Sequence, residues 1–169
     1  GMALKLRDKE LRDFTHITPE AAGMLSSGWG SITNLDGLTH LSIAAARNLA
    51  EGGSLSLGGL RLLPGDIASA LAEHKQALWL NGLTTLSDEA AECLSKHRGE
   101  KLRLYGLTRV SDAAAESLSK YKGALSLDGL TQLSDVVAES LSKHQGNLSL
   151  NGLTAVSYTH LRPHETVLP

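Results

Sequence analysis

The side chains with the strongest potential for binding lie in neighbouring segments of the chain. Trp79 and Asn81 are followed 24 residues later by Arg103 and Tyr105, and Asp128 occupies the next equivalent position. Trp, Tyr and Arg are the residue types that contribute most to protein-binding hot spots. These five residues, called the strand-face patch below, are the predicted binding site. A competing interpretation is that Trp79 packs along its own sheet under Arg103 and has only a structural role.

A second set of candidates consists of three histidines at equivalent positions, His74, His97 and His144, with Tyr121 interrupting the series. Imidazole binds metal ions, but a site needs three or four ligands that converge on one ion. These residues are expected to form a line, so we predict no metal site. We assign the histidines to helix C-termini, where a cationic side chain complements the helix dipole.

Nucleophilic side chains show no catalytic arrangement. No Ser, His or Asp is flanked by a nucleophile elbow, and the regularly spaced glycines form no phosphate-cradling loop. The single cysteine, Cys93, takes the place that serine has in related segments, and we expect it to be a tolerated residue on the outer face of a helix. We predict that the protein is not an enzyme and uses no cofactor.

A repeating unit must position these residues, because the segment around Trp79 recurs. A Gly-Leu pair marks the register at intervals of 22, 23, 24, 23 and 23 residues, with its glycine at Gly37, Gly59, Gly82, Gly106, Gly129 and Gly152. A period of this size is typical of stacked units that form a solenoid. We therefore divide the chain into a degenerate N-terminal capping repeat over 1–30, about five and a half repeats over 31–156, and a non-repeat tail over 157–169. In the cap, Leu11 and Phe14 take the places of inward-facing leucines.

Each unit is predicted to contain a short strand, a turn and a helix. The Leu-x-Leu run alternates as a strand does, and the following glycine permits a turn that a side chain would obstruct. Ser87 or Asp88 is the expected helix N-cap, and Lys96, His97 and Gly99 mark the C-terminus. We expect equivalent leucines to lie in rows along a parallel sheet, as in the series Leu80, Leu104 and Leu127.

The pattern of Leu78, Leu80, Leu83, Leu86 and Leu94 and their equivalents resembles the leucine-rich repeat superfamily, in particular bacterial proteins with 23-residue units that read LxLxGLTxLSDxAAExLxKHxG. The resemblance implies an α/β solenoid with short parallel strands on one face and short helices on the other. The asparagine ladder of the family is missing, because leucine stands at its position, so the turn hydrogen bonds must differ. Members of this family mostly bind other macromolecules, which implies a binding role here.

Composition narrows the classes of partner. The chain has 169 residues and a net charge of −2, which gives no electrostatic reason to expect nucleic acid or an anionic membrane. No apolar run approaches the length of a membrane span. A single cysteine allows no intrachain disulfide and mildly favours a reducing compartment such as the cytoplasm. The expected partner, which the strand-face patch and the resemblance imply, is a protein or a peptide.

The segment 157–169 departs from the repeat. It has no Ala-Ala pair, and Pro163 would break the helix expected there. It resembles translated cloning or adaptor read-through, which implies that the natural protein continues with more repeats. A native C-terminal cap is the alternative. If the repeats continue, exposed Leu148, Leu150 and Leu153 favour a homodimer through the terminal repeats.

Two functions follow from these expectations. Two outward rows form the strand face, Ser56, Trp79, Arg103, Ser126 and Ser149 in the first and Gly58, Asn81, Tyr105, Asp128 and Asn151 in the second. The predicted function is a non-enzymatic protein- or peptide-binding module that uses this face. The alternative is a structural spacer or assembly segment of a larger repeat protein that associates end to end. An aromatic patch on the face favours the first, and the serines and asparagines favour the second.

Overall fold

The computed structural model describes residues 11–28 and 32–156, and in them strands and helices alternate along the chain. The helices are α1 (Pro19–Gly28), α2 (Ile43–Leu49), α3 (Gly65–Ala72), α4 (Asp88–Ser95), α5 (Asp112–Ser119) and α6 (Asp135–Ser142). The strands are β1 (Ile32–Asn34), β2 (Ser54–Ser56), β3 (Leu78–Trp79), β4 (Lys101–Arg103), β5 (Ala124–Ser126), β6 (Gln132–Leu133), β7 (Leu148–Ser149) and β8 (Ala155–Val156). The start of the predicted cap, the boundary near residue 30 and the tail over 157–169 lie outside the described residues.

The main sheet has six parallel strands in the order β1-β2-β3-β4-β5-β7. Its register places the first leucines of successive strands opposite one another, in the row Leu55, Leu78, Leu102, Leu125 and Leu148. The predicted alignment of like leucines is therefore confirmed. Leu80, Leu104 and Leu127, two residues further along, are all fully buried.

A second, smaller sheet was not predicted. Strand β6 pairs with β8 in parallel, with Gln132 opposite Ala155 and Leu133 opposite Val156. Strand β6 follows the turn of its unit and precedes α6, and β8 takes the equivalent place after the next turn. A two-residue segment has too little alternation to be recognised as a strand from sequence.

Serine hydroxyls start four of the helices, as predicted for Ser87. Ser42, Ser87, Ser111 and Ser134 each accept a hydrogen bond from the backbone N–H three residues on, over 3.0–3.2 Å. These bonds satisfy amide groups that have no partner inside the helix. Helix α3 starts differently, because Pro64 stands at its N-cap and offers no side-chain acceptor.

Alanine and leucine from the helices close the core against the strand leucines. Ala90, Ala91 and Leu94 of α4 are fully buried, and each helix contacts the next one along the chain. Small alanine side chains let the helices approach the sheet closely. At the start of the described chain, Leu11 is buried as expected, but Phe14 is 48% exposed. The prediction that Phe14 faces inward is wrong, because about half of this residue remains accessible.

The glycine that follows each strand is required by the neighbouring unit. No described glycine has a positive φ, so no left-handed turn demands it. A Cβ atom at Gly82 would instead lie 1.9 Å from the carbonyl oxygen of Gly58, and one at Gly129 would lie 2.0 Å from that of Tyr105. The backbones of adjacent units thus approach too closely for any side chain at this position.

Replacing Gly82 with alanine is expected to lower the free energy of unfolding by roughly 1–3 kcal/mol, because the added methyl group must push a backbone carbonyl aside. Urea unfolding followed by circular dichroism measures the change. Gly23→Ala is the matched control, since a Cβ at Gly23 in α1 meets its nearest atom, Nδ2 of Asn48, at an ordinary 3.7 Å. Equal stability of the two variants would show that the units are not closely packed at Gly82.

Candidate functional site

Strands β3 and β4 place Trp79 and Arg103 side by side on the face of the sheet opposite the leucine core. Leu78 and Leu102 are fully buried, and alternation along each strand directs the next residue to the other face. The register pairs Leu78 with Leu102 and Trp79 with Arg103. Adjacent strands lie about 4.8 Å apart, so the two side chains are close neighbours.

The guanidinium group of Arg103 lies over two aromatic rings. Its Cζ atom is 4.7 Å from the centroid of the Trp79 ring and 5.7 Å from that of the Tyr105 ring. Both separations are within the range of favourable cation–π interaction. Arg103 covers the indole, as the structural interpretation of Trp79 requires. Tyr105 remains 37% exposed, so aromatic surface is left for a partner.

Three polar atoms of the strand-face patch are buried without a hydrogen-bond partner within the described residues. They are Nε1 of Trp79, Nε of Arg103 and Oδ1 of Asn81. Leaving a buried donor or acceptor unpaired costs about 1–3 kcal/mol per group. Native structures contain few such atoms, and concentrations of them need an explanation. Here they belong to three residues of one small patch.

Asp128 lies at the edge of the patch and is bonded to the following unit. Its Oδ1 atom accepts a hydrogen bond from the Ser149 hydroxyl at 2.6 Å and another from the Asn151 backbone N–H at 3.0 Å. The bond from Ser149 is the main cause that lowers the pKa of Asp128, and the charge of Arg103 contributes a smaller part. Asp128 is therefore an anchor between units that remains ionised near neutral pH.

Asp36 forms the same arrangement at the other end of the face. Its Oδ1 accepts from the Ser56 hydroxyl at 2.6 Å and from the Gly58 backbone N–H at 2.7 Å. We call these two arrangements the Asp–Ser clamps. They were not predicted, although an Asp-Gly pair followed one unit later by Ser at the strand end is visible in the sequence. Between the clamps the face carries Trp79 and Arg103 instead.

The clamps also correct one expectation about the face. Ser56 and Ser126 were placed in an outward row, but they are only 3% and 6% exposed. Ser56 is covered because its hydroxyl donates to the Asp36 carboxylate, and Ser126 pairs in register with Arg103, whose side chain is the longest of the row. The accessible part of the row is therefore confined to fewer units than its sequence pattern suggests.

Two of the three histidines, His74 and His97, lie in the core, and the role predicted for them is wrong. His74 and His97 are 0% and 6% exposed. Burial, and to a lesser extent the neighbouring His74, lower the pKa of His97 to about 4. Burial also lowers the pKa of His74. The two imidazoles are therefore neutral at neutral pH and do not supply a cation to the helix dipole.

The rings of the three histidines and Tyr121 instead connect successive units. Ring centroids are 6.2 Å apart for His74 and His97, 5.8 Å for His97 and Tyr121, and 6.2 Å for Tyr121 and His144. Tyr121 donates its hydroxyl proton to the carbonyl oxygen of Gly99 at 2.7 Å. His74 and His144 donate to carbonyls of their preceding units at 3.1 Å. Both ring nitrogens of His97 have no partner among the described residues.

Gly99 explains how such a ring fits. A Cβ atom at Gly99 would lie 2.6 Å from Nε2 of His97 and 1.9 Å from the carbonyl oxygen of Gln76. We predicted that Gly99 ends the helix, but it does not have the positive φ that would require glycine for that purpose. A residue without a side chain is required here because the His97 ring and the Gln76 carbonyl of the previous unit occupy the space.

Other reactive groups are not brought together. Within residues 11–28 and 32–156, no group of three or more His, Cys, Asp or Glu side chains could hold a metal ion. Cys93 is a free thiol, partly buried and packed against the core. Among the helices that the structure describes, none has the length and apolar character needed to cross a bilayer.

The fold and the patch together define an α/β protein of repeat-like architecture, with a parallel sheet whose outer face carries an aromatic and cationic group of side chains. No protein-family model matches the chain, and no curated protein matches its sequence.

Proposed function

We propose that this chain is a leucine-rich-repeat solenoid that acts as a non-enzymatic protein- or peptide-binding module through its strand face. The in-register leucine rows, the parallel strands in chain order and the close approach of successive units support the architecture. Such arrays expose one continuous face to a partner, and side chains that the repeat does not dictate decide what binds.

The strand-face patch is the observation that carries the binding role. Toward each end of the face, an Asp–Ser clamp satisfies the polar groups internally. In the middle of the face the clamp is replaced by Trp79, Arg103 and Tyr105. The buried N–H donors of Trp79 and Arg103 have no acceptor among the described residues. A purely structural face would have no reason to exchange satisfied hydrogen bonds for exposed tyrosine and an aromatic-stacked arginine. Residue types of this kind dominate binding hot spots.

A selection from a random peptide library displayed on phage tests the proposal. We expect enriched peptides to bind the purified chain, and Trp79→Ala and Tyr105→Ala each to weaken that binding by about tenfold or more, since a hot-spot side chain contributes at least 1–2 kcal/mol. Isothermal titration calorimetry measures the affinity. Thr84→Ala, an exposed residue in the turn after β3, is the control and should bind as the wild type does.

Peptides that bind Trp79→Ala as well as the wild type, or a selection that enriches none, would contradict the proposal.

The alternative, an assembly segment, has an observation of its own. Leu148, Leu150 and Leu153 are only partly buried, whereas their inner equivalents Leu125, Leu127 and Leu130 are fully buried. Light scattering at high protein concentration separates the two functions, because end-to-end association raises the mass and a binding module does not require it.

A further inference from the structure

Arg103 carries a positive charge that is not paired within the described residues. The ion pairs found there join other side chains, all of them well exposed. Asp128 influences Arg103 only as a charge at a distance, and its Oδ1 is occupied by Ser149 and Asn151. Lys101 lies on the same face of β4, two residues before Arg103, and adds a second cation. The middle of the face is therefore locally positive on a chain of net charge −2.

The unpaired polar atoms around this charge are mainly donors. The Trp79 indole N–H and the Arg103 Nε–H are buried and lack an acceptor among the described residues, whereas the two Nη atoms of Arg103 are not among the buried atoms and are left for a ligand. Arginine presents its donors in a planar fork that matches a carboxylate, and stacking on aromatic rings holds that fork in one orientation. Trp79 and Tyr105 supply the stacking surfaces at 4.7 and 5.7 Å. A carboxylate complements this group, because its two oxygens can accept two N–H donors of the guanidinium at once.

The surroundings limit how many acids such a ligand can carry. Asp36 and Asp128 hold carboxylates at the two margins of the face, and like charges there repel further acidic groups. The face continues on both sides of Arg103, over β2 and β3 in one direction and β5 and β7 in the other. A chain that crosses it has room to extend both ways, which suits an acidic residue inside a peptide better than a chain terminus.

We infer that Arg103, held against Trp79 and Tyr105, binds the side-chain carboxylate of a single Glu or Asp in an extended peptide that crosses β3 and β4. This inference rests on the proposed peptide-binding function and names the chemistry that the peptide must carry. Neutral residues are favoured beside the acid, because the carboxylates of the clamps, Asp128 above all, repel further negative charge.

Three fluorescein-labelled pools of random pentapeptides test the inference. The first is blocked at both ends and has Glu fixed at the centre. The second is identical except for Gln at the centre. The third has the central Gln and a free C-terminal carboxylate. Fluorescence anisotropy with the full chain is expected to show about tenfold tighter binding of the Glu pool than of the Gln pool, with the difference shrinking in high salt.

Two substitutions at Arg103 identify the group responsible. Arg103→Gln should abolish the preference for the Glu pool, and Arg103→Lys should retain part of it, because an ammonium keeps the charge but loses the planar fork. Arg109→Gln removes the same charge from an exposed residue beyond the turn that follows β4, and should leave the preference intact. Circular dichroism establishes that each variant is folded. If Arg103→Gln fails to fold, the partial loss in Arg103→Lys carries the test.

Each other outcome overturns the inference. Equal binding of the Glu and Gln pools would overturn it. If phage-selected peptides nevertheless require Trp79, the proposed peptide-binding function stands and only the role of the carboxylate is lost. Preference for the third pool would assign the patch to a chain terminus. A preference for Glu that persists in Arg103→Gln would place the anion elsewhere. Failure of every pool together with failure of the phage selection would remove both proposals.

Discussion

Replacing Leu107 with alanine is expected to lower the free energy of unfolding by roughly 2–5 kcal/mol. Leu107 is fully buried, and its equivalents Leu83 and Leu130 are fully buried in the units on either side. Those neighbours are held in place by their own strands and by the close backbone contacts at the turn glycines. The surroundings therefore cannot move in to fill the space, and the cost should lie toward the upper part of that range.

Urea unfolding, followed by circular dichroism, measures this loss. Leu62→Ala is the matched control, because it deletes the same atoms from a leucine that is 70% exposed. Its effect should stay within about 0.5 kcal/mol. If the two variants unfold at the same urea concentration, Leu107 does not belong to a tightly packed row, and the alignment of like leucines no longer accounts for stability.

Acidification is expected to destabilise the protein through His97. Burial lowers the pKa of His97 from 6.5 to about 4. As the pH falls below 6.5, the unfolded chain takes up a proton at this residue and the folded chain does not, so unfolding becomes more favourable. The stabilisation is complete above pH 6.5 and is lost as the pH falls toward 4. A pKa difference of this size corresponds to about 3 kcal/mol.

His97→Tyr tests this explanation with a residue that the chain already uses at the equivalent position, Tyr121. The phenol does not titrate in this range, so the free energy of unfolding of the variant should fall less between pH 7 and 4 than that of the wild type. The decline that remains includes His74, whose pKa is also lowered. Leu107→Ala, destabilised without any change in titration, should keep the wild-type pH dependence. Equal slopes for His97→Tyr and the wild type would contradict the assignment.

The architecture could be predicted from sequence because the same physical requirement recurs in every unit. Leu80, Leu104 and Leu127 satisfy one packing condition, and three repetitions make the pattern unmistakable. The serine caps were predictable for the same reason, since Ser87 and its equivalents precede four of the described helices with an acceptor. Repetition thus turns weak local preferences into a strong signal.

The burial of His97 could not be predicted in this way. His97 follows a lysine at the end of a helix, and that sequence context indicates an exposed cation. Its burial depends on the ring of His74 before it, the ring of Tyr121 after it, and the open space left by Gly99. The two ring contacts lie between units, and a unit considered alone does not contain them.

The patch was located from residue types, but its geometry was not. The register determines the positions of Trp79, Arg103 and Tyr105. It does not determine the direction in which a long side chain such as that of Arg103 lies. The Asp–Ser clamps were missed for a related reason, because Asp36 reaches a serine and a backbone amide of the next unit. Side-chain hydrogen bonds across units depend on twist, which the repeat length alone does not determine.

The pairing of a ring with a glycine two residues later bears on how the array could grow. Tyr121 and Gly123 occur in the same unit, and they approach main-chain carbonyls of the preceding unit, those of Gly99 and Glu100, which any sequence supplies. A duplicated segment would therefore carry both the ring and its glycine into the new location. Lengthening by tandem duplication would need no new side-chain partner for this hydrogen bond, and each added copy would bring a further pair of outward side chains free to diversify.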